Sequence, residues 1–258
     1  RSTQVAGRRQ RQMCIRDRLW ARPAPMKGTK RTGESVLAAY QESFAETWAD
    51  NTPAETVRFV VLDCETTGFD RERDRIVSIG AIAMTNAEII LGDSFETLLR
   101  VRYNTAATLV HGITRAEARF GMEERDALLQ FLDYVRDGVI VGHHIAHDLG
   151  MLNAACRRHF NMVLRNRHID TLGLTLHLEH DRGFADAAPG RSASLDALCE
   201  RFGIVPYDRH TAAGDAFLTA QIFLRLIRYA RHCGRDSLAT LSEPFWAPDT
   251  DTDTDTGE

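Results

Sequence analysis

The segment Arg58–Leu62 (RFVVL) is a short apolar run of strand type, and it ends directly in Asp63-Cys64-Glu65-Thr66-Thr67-Gly68. In an extended chain alternate side chains share a face, so Asp63 and Glu65 point the same way. Two carboxylates aimed together at the end of a buried strand repel unless positive charge lies between them, and hard oxygen ligands suit Mg²⁺ or Mn²⁺. The plain alternative is a strand-to-turn junction carrying two solvated acids. A D-x-E pair occurs often by chance, so the choice rests on what the rest of the chain supplies.

Around this junction the pattern is that of an α/β protein. Arg75–Met84 and Ile89–Arg100 are two further strand-like stretches separated by Thr85-Asn86, which makes a β-meander with the first. Glu123–Arg136 has its apolar residues at helical spacing, Gly138 breaks the pattern, and Val139–Val141 resumes a strand. Helices are predicted over Asp148–His159, Thr171–Glu179, Ser194–Phe202 and Ala212–His232. Strands first, then strands alternating with helices, indicate a mixed sheet. Ahead of this domain Glu34–Trp48 places Val36, Leu37, Tyr40, Phe44 and Trp48 as one amphipathic helix. His180–Ser194, rich in Gly, Ala and Asp, reads as a mobile surface loop.

The ends carry different chemistry. Met13–Arg18 (MCIRDR) resembles the translation of a sequencing-library adapter, and Arg22–Arg31 is a Pro/Gly/basic linker. Residues 1–18 hold six Arg against one Asp; without them the formal charge of −4 becomes −9. Nucleic-acid binding by so acidic a remainder needs a local site, because no global positive field supplies it. The Thr-Asp repeat of Asp249–Glu258 has no apolar residue and is expected to be disordered. The resulting division is residues 1–31 as adapter-like artefact and linker, 32–52 as a helical extension, 53–232 as the main domain and 233–258 as a C-terminal segment with an acidic tail. The five cysteines are scattered without a C-x-x-C pair and read as reduced thiols, and no apolar run approaches the ~20 residues of a bilayer span. A soluble, cytoplasmic protein without membrane contact is the expectation.

Two more motifs join the first. Val141–Asp148 (VGHHIAHD) runs off a short strand and delivers a third carboxylate near a helix start, where an acid alone would be a dipole-compensating residue. His210–Asp215 (HTAAGD) places an imidazole and a fourth carboxylate at the start of another helix, with His210 in the loop before it. Taken together and in this order, D-x-E-T-T-G, G-H-x-x-x-x-D and H-x-x-x-x-D resemble the three motifs of the DEDDh exonucleases, the family of the proofreading subunit of bacterial DNA polymerase III. The resemblance runs from about Arg58 to Ile227 and includes Val110–Thr114 (VHGIT), similar to a family loop near the substrate strand.

That resemblance implies a ribonuclease-H-like fold with a five-stranded mixed sheet flanked by helices. It implies a 3′-to-5′ exonuclease that hydrolyses phosphodiester bonds at the free 3′ end of single-stranded DNA and releases nucleoside 5′-monophosphates. It assigns two Mg²⁺ or Mn²⁺ ions to Asp63, Glu65, Asp148 and Asp215. Asp63 bridges both, Glu65 and Asp215 complete the water-activating site, and Asp148 supports the second ion. His210, whose side-chain type ordinarily titrates near pH 6.5, is the general base. The substrate end lies against the N–H groups of Thr66 and Thr67 and against His111, Gly112 and Ile113. Two positions depart from the family pattern: His144 stands where many relatives have Asn, and His147 where many have Phe.

The motifs admit other readings. An exoribonuclease acting on short RNA shares every motif, because none of them reads a 2′-hydroxyl. A non-catalytic nucleic-acid-binding module is opposed by the presence of all five catalytic residue types. His147-Asp148 is also the dipeptide of the all-helical HD phosphohydrolases, against which the strand runs count, and no ligand set completes a zinc site from His144 and His147. A DNA polymerase is a candidate partner, although the short acidic stretch after the last helix favours a stand-alone or loosely associated nuclease. Asp170 reads as a helix N-cap.

Overall fold

In the computed structural model the described residues are 31–101, 113, 118–180 and 194–242. Strand β1 (Phe59–Thr66) is the middle of a five-stranded sheet of order β3-β2-β1-β4-β5. It runs antiparallel to β2 (Ile76–Thr85), which is antiparallel to β3 (Glu88–Leu98). On its other side it runs parallel to β4 (Val139–Gly142), which is parallel to β5 (His168–Asp170). This is the mixed sheet, flanked by helices, that a ribonuclease-H-like fold requires. Asn86 and Ala87, both with φ of 53°, close the β2–β3 turn; two consecutive left-handed residues match the twist of the strands they join.

Continuous apolarity in β1 follows from its central position. Val60, Leu62 and Cys64 face a core built with α1 (Gly33–Glu42), α2 (Glu124–Val135) and α3 (Ala146–Phe160). Phe59 and Val61 face the other core, with α4 (Thr171–His180), α5 (Leu195–Arg201), α6 (Ala212–His232) and α7 (Leu238–Ser242). Both faces of the strand are therefore covered, which leaves no solvent-facing series of polar positions. Asp63 and Glu65 continue the Phe59–Val61 series and so emerge on the side of α6.

Close approach of α6 to the sheet is set by one missing side chain. Gly80 pairs with Asp63 across the β1–β2 ladder. A Cβ at Gly80 would stand 2.3 Å from the Ala213 nitrogen and 2.5 Å from the Ala212 carbonyl oxygen. The first turn of α6, Ala212-Ala213-Gly214, is thus laid on the backbone of β2. Thr211 caps this turn, its Oγ1 accepting the Gly214 N–H at 3.1 Å.

The structure corrects the sequence reading in several elements. β1 extends to Thr66 instead of stopping at Leu62, because β2 keeps pairing with it through Cys64↔Ile79 and Glu65↔Ser78. The first helix ends at Glu42, not Trp48. Its apolar spacing continues, but tertiary contacts claim the residues: the Arg165 guanidinium lies over the Phe44 ring at 4.9 Å, and the Trp48 indole donates to the Asp137 carbonyl at 2.9 Å. Tyr40 is fully buried and binds this helix into the domain, donating to Asn166 Oδ1 at 2.7 Å and accepting the Arg165 N–H at 2.9 Å. Strand β5, too short to show a period, was not read from its residues; Asp170 at its end accepts the Leu172 N–H at 2.8 Å, the N-cap role expected of it. The expected loop at His180–Ser194, the acidic tail and the N-terminal basic stretch fall almost entirely outside the described residues.

Replacing Gly80 by Ala drives a Cβ into helix backbone, which has no soft rotamer to absorb it. Urea unfolding is expected to show a loss of about 1–3 kcal/mol, typical of overpacking. Gly92→Ala on β3, where a Cβ meets nothing within 4 Å, is the control. Equal stabilities of the two variants would contradict this account of how α6 is seated.

Candidate metal centre and active site

Asp63, Glu65 and Asp215 each offer a carboxylate oxygen, and the three atoms lie within 4.8 Å of one another. Two come from the end of β1 and one from the first turn of α6, brought together by the close approach at Gly80. Asp148, on α3, reaches the same strand end from the opposite face. β4 pairs with β1 only as far as Val61↔Val141, after which its chain turns into α3. The buried Asp148 carboxylate accepts the Cys64 N–H at 2.9 Å, a strand donor that lies beyond this ladder. The turn itself is tied down by Asp170, whose second oxygen accepts the Ile145 N–H at 3.0 Å.

The electrostatic cost is visible in every acid. Burial, then the neighbouring Asp148, Asp215 and Glu65, push the Asp63 carboxyl well above its usual range. Burial and then Asp215 raise Glu65 to about 7. Asp148 is raised to about 7, chiefly by burial. Burial also raises Asp215, although Arg209 opposes it. Arg209 holds Asp215 Oδ2 through one guanidinium nitrogen and Asp196 through the other two, at 2.7 and 3.2 Å. The backbone N–H of His210 also donates to Asp215 Oδ2, at 3.3 Å. Asp215 Oδ1 is buried without a hydrogen-bond partner among the described residues. One guanidinium among four acids, and an orphaned buried carboxylate oxygen, fit a site for divalent cations: hard oxygen donors, excess negative charge and an unused ligand atom.

His210 is exposed and sits in the loop before α6, as its spacing predicts, with φ of 62°. Its turn lies on the helix where Gly214 leaves room; a Cβ there would be 2.0 Å from the Asp208 carbonyl oxygen. Thr66 Oγ1 donates to the Gly68 carbonyl at 2.9 Å and stands 3.4 Å from His147 Nε2. The Thr67 N–H expected to meet substrate donates instead to the Arg75 carbonyl at 2.9 Å, and its hydroxyl donates to Asp74 at 2.7 Å. Closing the loop between β1 and β2 consumes both groups. Ile113 packs beside Val77, Val101 and Ala118, while His111 and Gly112 lie outside the described residues. His144 has φ of 56°, a left-handed position that Asn tolerates better than most residues. His147 packs beside the exposed Phe69, ring centroids 5.2 Å apart.

Arg209 was missed from sequence. Its signal was adjacency to His210 in a motif otherwise made of acids and small residues, but nothing in a linear pattern shows that Asp196 would come to meet it.

Comparisons with known proteins converge on one family. The family model described as Exonuclease (RNase_T) matches residues 60–223, a span that holds all five residues of the three motifs. The chain is 36% identical over 202 residues to the DNA polymerase III subunit epsilon-like protein of Rhodobacter capsulatus, covering 76% of this chain and 26% of that protein. It is 30% identical over 172 residues to the DNA polymerase III subunit epsilon of Aquifex aeolicus, covering 66% and 80%. With the PolC-type DNA polymerase III of Thermotoga maritima it shares 29% over 212 residues, 81% of this chain but only 15% of that much longer protein. Among solved structures, E. coli exonuclease I in complex with a dT13 oligonucleotide superposes with a TM-score of 0.59 at 19% identity, over 69% of this chain and 43% of that one. Cell-death related nuclease 4 gives 0.56 at 14% identity, over 67% and 64%. At such identities the structural likeness is one of fold.

Raised carboxyl pKa values set the sign of a stability profile. An acid whose folded pKa exceeds its unfolded value holds extra protons in the folded state, so stability falls as pH rises between the two. For Glu65 and Asp148 that window runs from 4.5 or 3.8 to about 7. In chelator, Asp63→Asn is expected to melt close to the parent near pH 4.5 and progressively above it toward pH 7.5, by about 2–4 °C for each kcal/mol of relieved repulsion. Added millimolar Mn²⁺ or Mg²⁺ should raise the parent's melting temperature more than the variant's. A variant less stable than the parent in chelator, with an equal response to metal, would show that the acids do not form one site.

Proposed function

The chain belongs to the exonuclease family, and on that premise we propose that it is a DEDDh-type enzyme that removes nucleotides from the 3′ end of single-stranded DNA as 5′-monophosphates. The observation that carries the reading is the convergence of Asp63, Glu65 and Asp215 within 4.8 Å, with Asp148 anchored at the same strand end. Exonuclease I, with its dT13 oligonucleotide, supports a single strand as the substrate class.

Asp63, Glu65, Asp215 and Asp148 hold two Mg²⁺ or Mn²⁺ ions. Such ions acidify water and neutralise charge growing on the attacking and leaving oxygens of a phosphodiester. His210, exposed beside the cluster, takes the proton of the attacking water. Its left-handed turn holds it beside Asp215, which its own N–H also orients. Arg209 bonds Asp215 and Asp196 together and so holds the Asp215 carboxylate in place. Cys64, through its N–H, fixes which oxygen of Asp148 remains available. Thr66, whose hydroxyl closes the turn to Gly68, forms the edge against which the 3′ terminus rests.

Matched DNA and RNA oligonucleotides test the substrate. Faster release of 5′-mononucleotides from the 3′ end of DNA is expected; preference for RNA would make the protein an exoribonuclease, and absence of hydrolysis with Mg²⁺ or Mn²⁺ would leave a binding module. His210→Ala is expected to slow hydrolysis by a factor of about 10² to 10⁴ with little change in metal affinity, since no ligand is lost. The rising limb of the pH–rate profile should disappear in that variant. If the limb persists, another group is the base.

A further inference from the structure

Along the outside of α3 runs an open groove of about 510 Å³ lined by Arg71, Arg157, Arg158 and Glu72 over a floor that includes Gly150 and Ala154. Gly150, Asn153, Ala154 and Arg157 follow i, i+3, i+4, i+7 spacing and so make one stripe of the helix. That stripe faces away from Met151, Leu152, Ala155 and Cys156, which are in the core. At ~1.5 Å per residue, Gly150 to Arg157 spans about 10 Å, roughly three base steps of a stacked strand at ~3.4 Å each.

The charge of the groove is unusual for this protein. The chain is acidic, with 36 Asp and Glu against 32 Lys and Arg. Many of its described arginines are committed: Arg31 and Arg136 to Asp133, Arg58 to Asp93, Arg100 to Glu123, Arg167 to Asp50, Arg231 to Glu55. Arg158 is paired with Glu124 at 2.8 Å. Arg71 and Arg157 make no ion pair among the described residues, although Glu72 lies in the same groove. Among the described residues Arg71 donates only to the Ala146 carbonyl, at 3.5 Å. Its guanidinium lies flat on α3 where Gly150 has no side chain; a Cβ there would be 2.3 Å from Arg71 Nε and 2.6 Å from Cζ. An arginine seated on a bare helix and left without an anion is arranged for an anion from outside.

The groove is linked to the site through the chain. Arg71 stands six residues after Glu65 in the loop that begins at Thr66, and it touches Ala146, two residues before Asp148. Thr66 and His147 bridge the two regions. We propose that this groove binds the sugar-phosphate backbone of the substrate strand a few nucleotides 5′ of the bond that is cut. The inference rests on the exonuclease reading above and adds to it where the strand lies: over the exposed stripe of α3, on Arg71 and Arg157. Single-strand grooves of this kind bind by counterion release, so their affinity is independent of base sequence and falls with salt.

The test is the full chain carrying Arg71→Gln and Arg157→Gln together, neither residue being part of the metal site or the base. On a 12-nucleotide single strand, KM is expected to rise about tenfold with kcat unchanged, and the slope of log kcat/KM against log salt to shrink by about 1.4, two contacts at ~0.7 each. Hydrolysis of the p-nitrophenyl ester of thymidine 5′-monophosphate, too short to reach the groove, should keep its parental rate. Gly150→Val, which displaces Arg71 without removing charge, should raise KM on the 12-mer alone. Parental KM and salt slope in the double variant, or an equal loss on the small ester, would overturn the proposal. If the parent hydrolyses neither substrate, the exonuclease reading fails. The groove is then decided by fluorescence anisotropy of the labelled 12-mer in chelator, where unchanged affinity in the double variant overturns it. Weakened binding of polyglutamate with oligonucleotide binding unaltered would assign the groove to an acidic protein segment and also overturn it.

Discussion

Mutual repulsion among Asp63, Glu65, Asp148 and Asp215 is the constraint around which the molecule is organised. A lone strand end would let these carboxylates swing into water, and each would then titrate as an ordinary acid. Here the strand is covered on both faces and the helices on either side are held by large apolar surfaces, so the acids cannot separate. Phe59 against Phe223, with ring centroids 5.0 Å apart, is one of the contacts that clamp β1 to α6. Such packing is what offsets the charge stored at one end of the sheet, and cations are what that charge is shaped to receive.

Sheet topology explains why the acids come from three distant parts of the chain. Helices enter beside the carboxyl end of β1 from both faces, α3 after the parallel strand β4 and α6 after the segment that follows α5. Crevices at strand carboxyl ends are where open α/β sheets generally place ligands, because loops and helix starts converge there. The two sides are not equivalent. α6 approaches over Gly80 with small residues and delivers Asp215 directly to Asp63 and Glu65. α3 delivers Asp148 by way of the backbone, through the Cys64 N–H. The same helix then presents its outer stripe to solvent, so one rigid element carries both Asp148 and the floor of the arginine groove.

Much of this was legible in the residues. β1 could be read because a central strand carries no polar alternation, and the four acids and His210 could be read because their motifs are compact and keep their order. Segments whose fate depends on partners were not legible. Phe44 and Trp48 keep helical spacing after Glu42, yet one lies under the Arg165 guanidinium and the other reaches for the Asp137 carbonyl, and these contacts outweigh a weak local preference. The Thr67 N–H looked available for substrate because a sequence does not show that Arg75 returns to accept it. Arg209 was unremarked because its partner Asp196 lies on a separate helix.

The sequence by itself determined the fold class, the central strand and the family, and it supplied the motifs whose acids the fold gathers. These are properties of local pattern: hydrophobic period, motif spacing, and side chains whose chemistry is fixed by type. Only the tertiary structure decided which acids share one cluster, which oxygen of Asp215 is left without a partner among the described residues, and which arginines are neutralised and which stay exposed. Those outcomes depend on distances of a few ångströms between elements far apart in the chain. Electrostatic and hydrogen-bond energies change steeply over such distances, and no linear pattern encodes them.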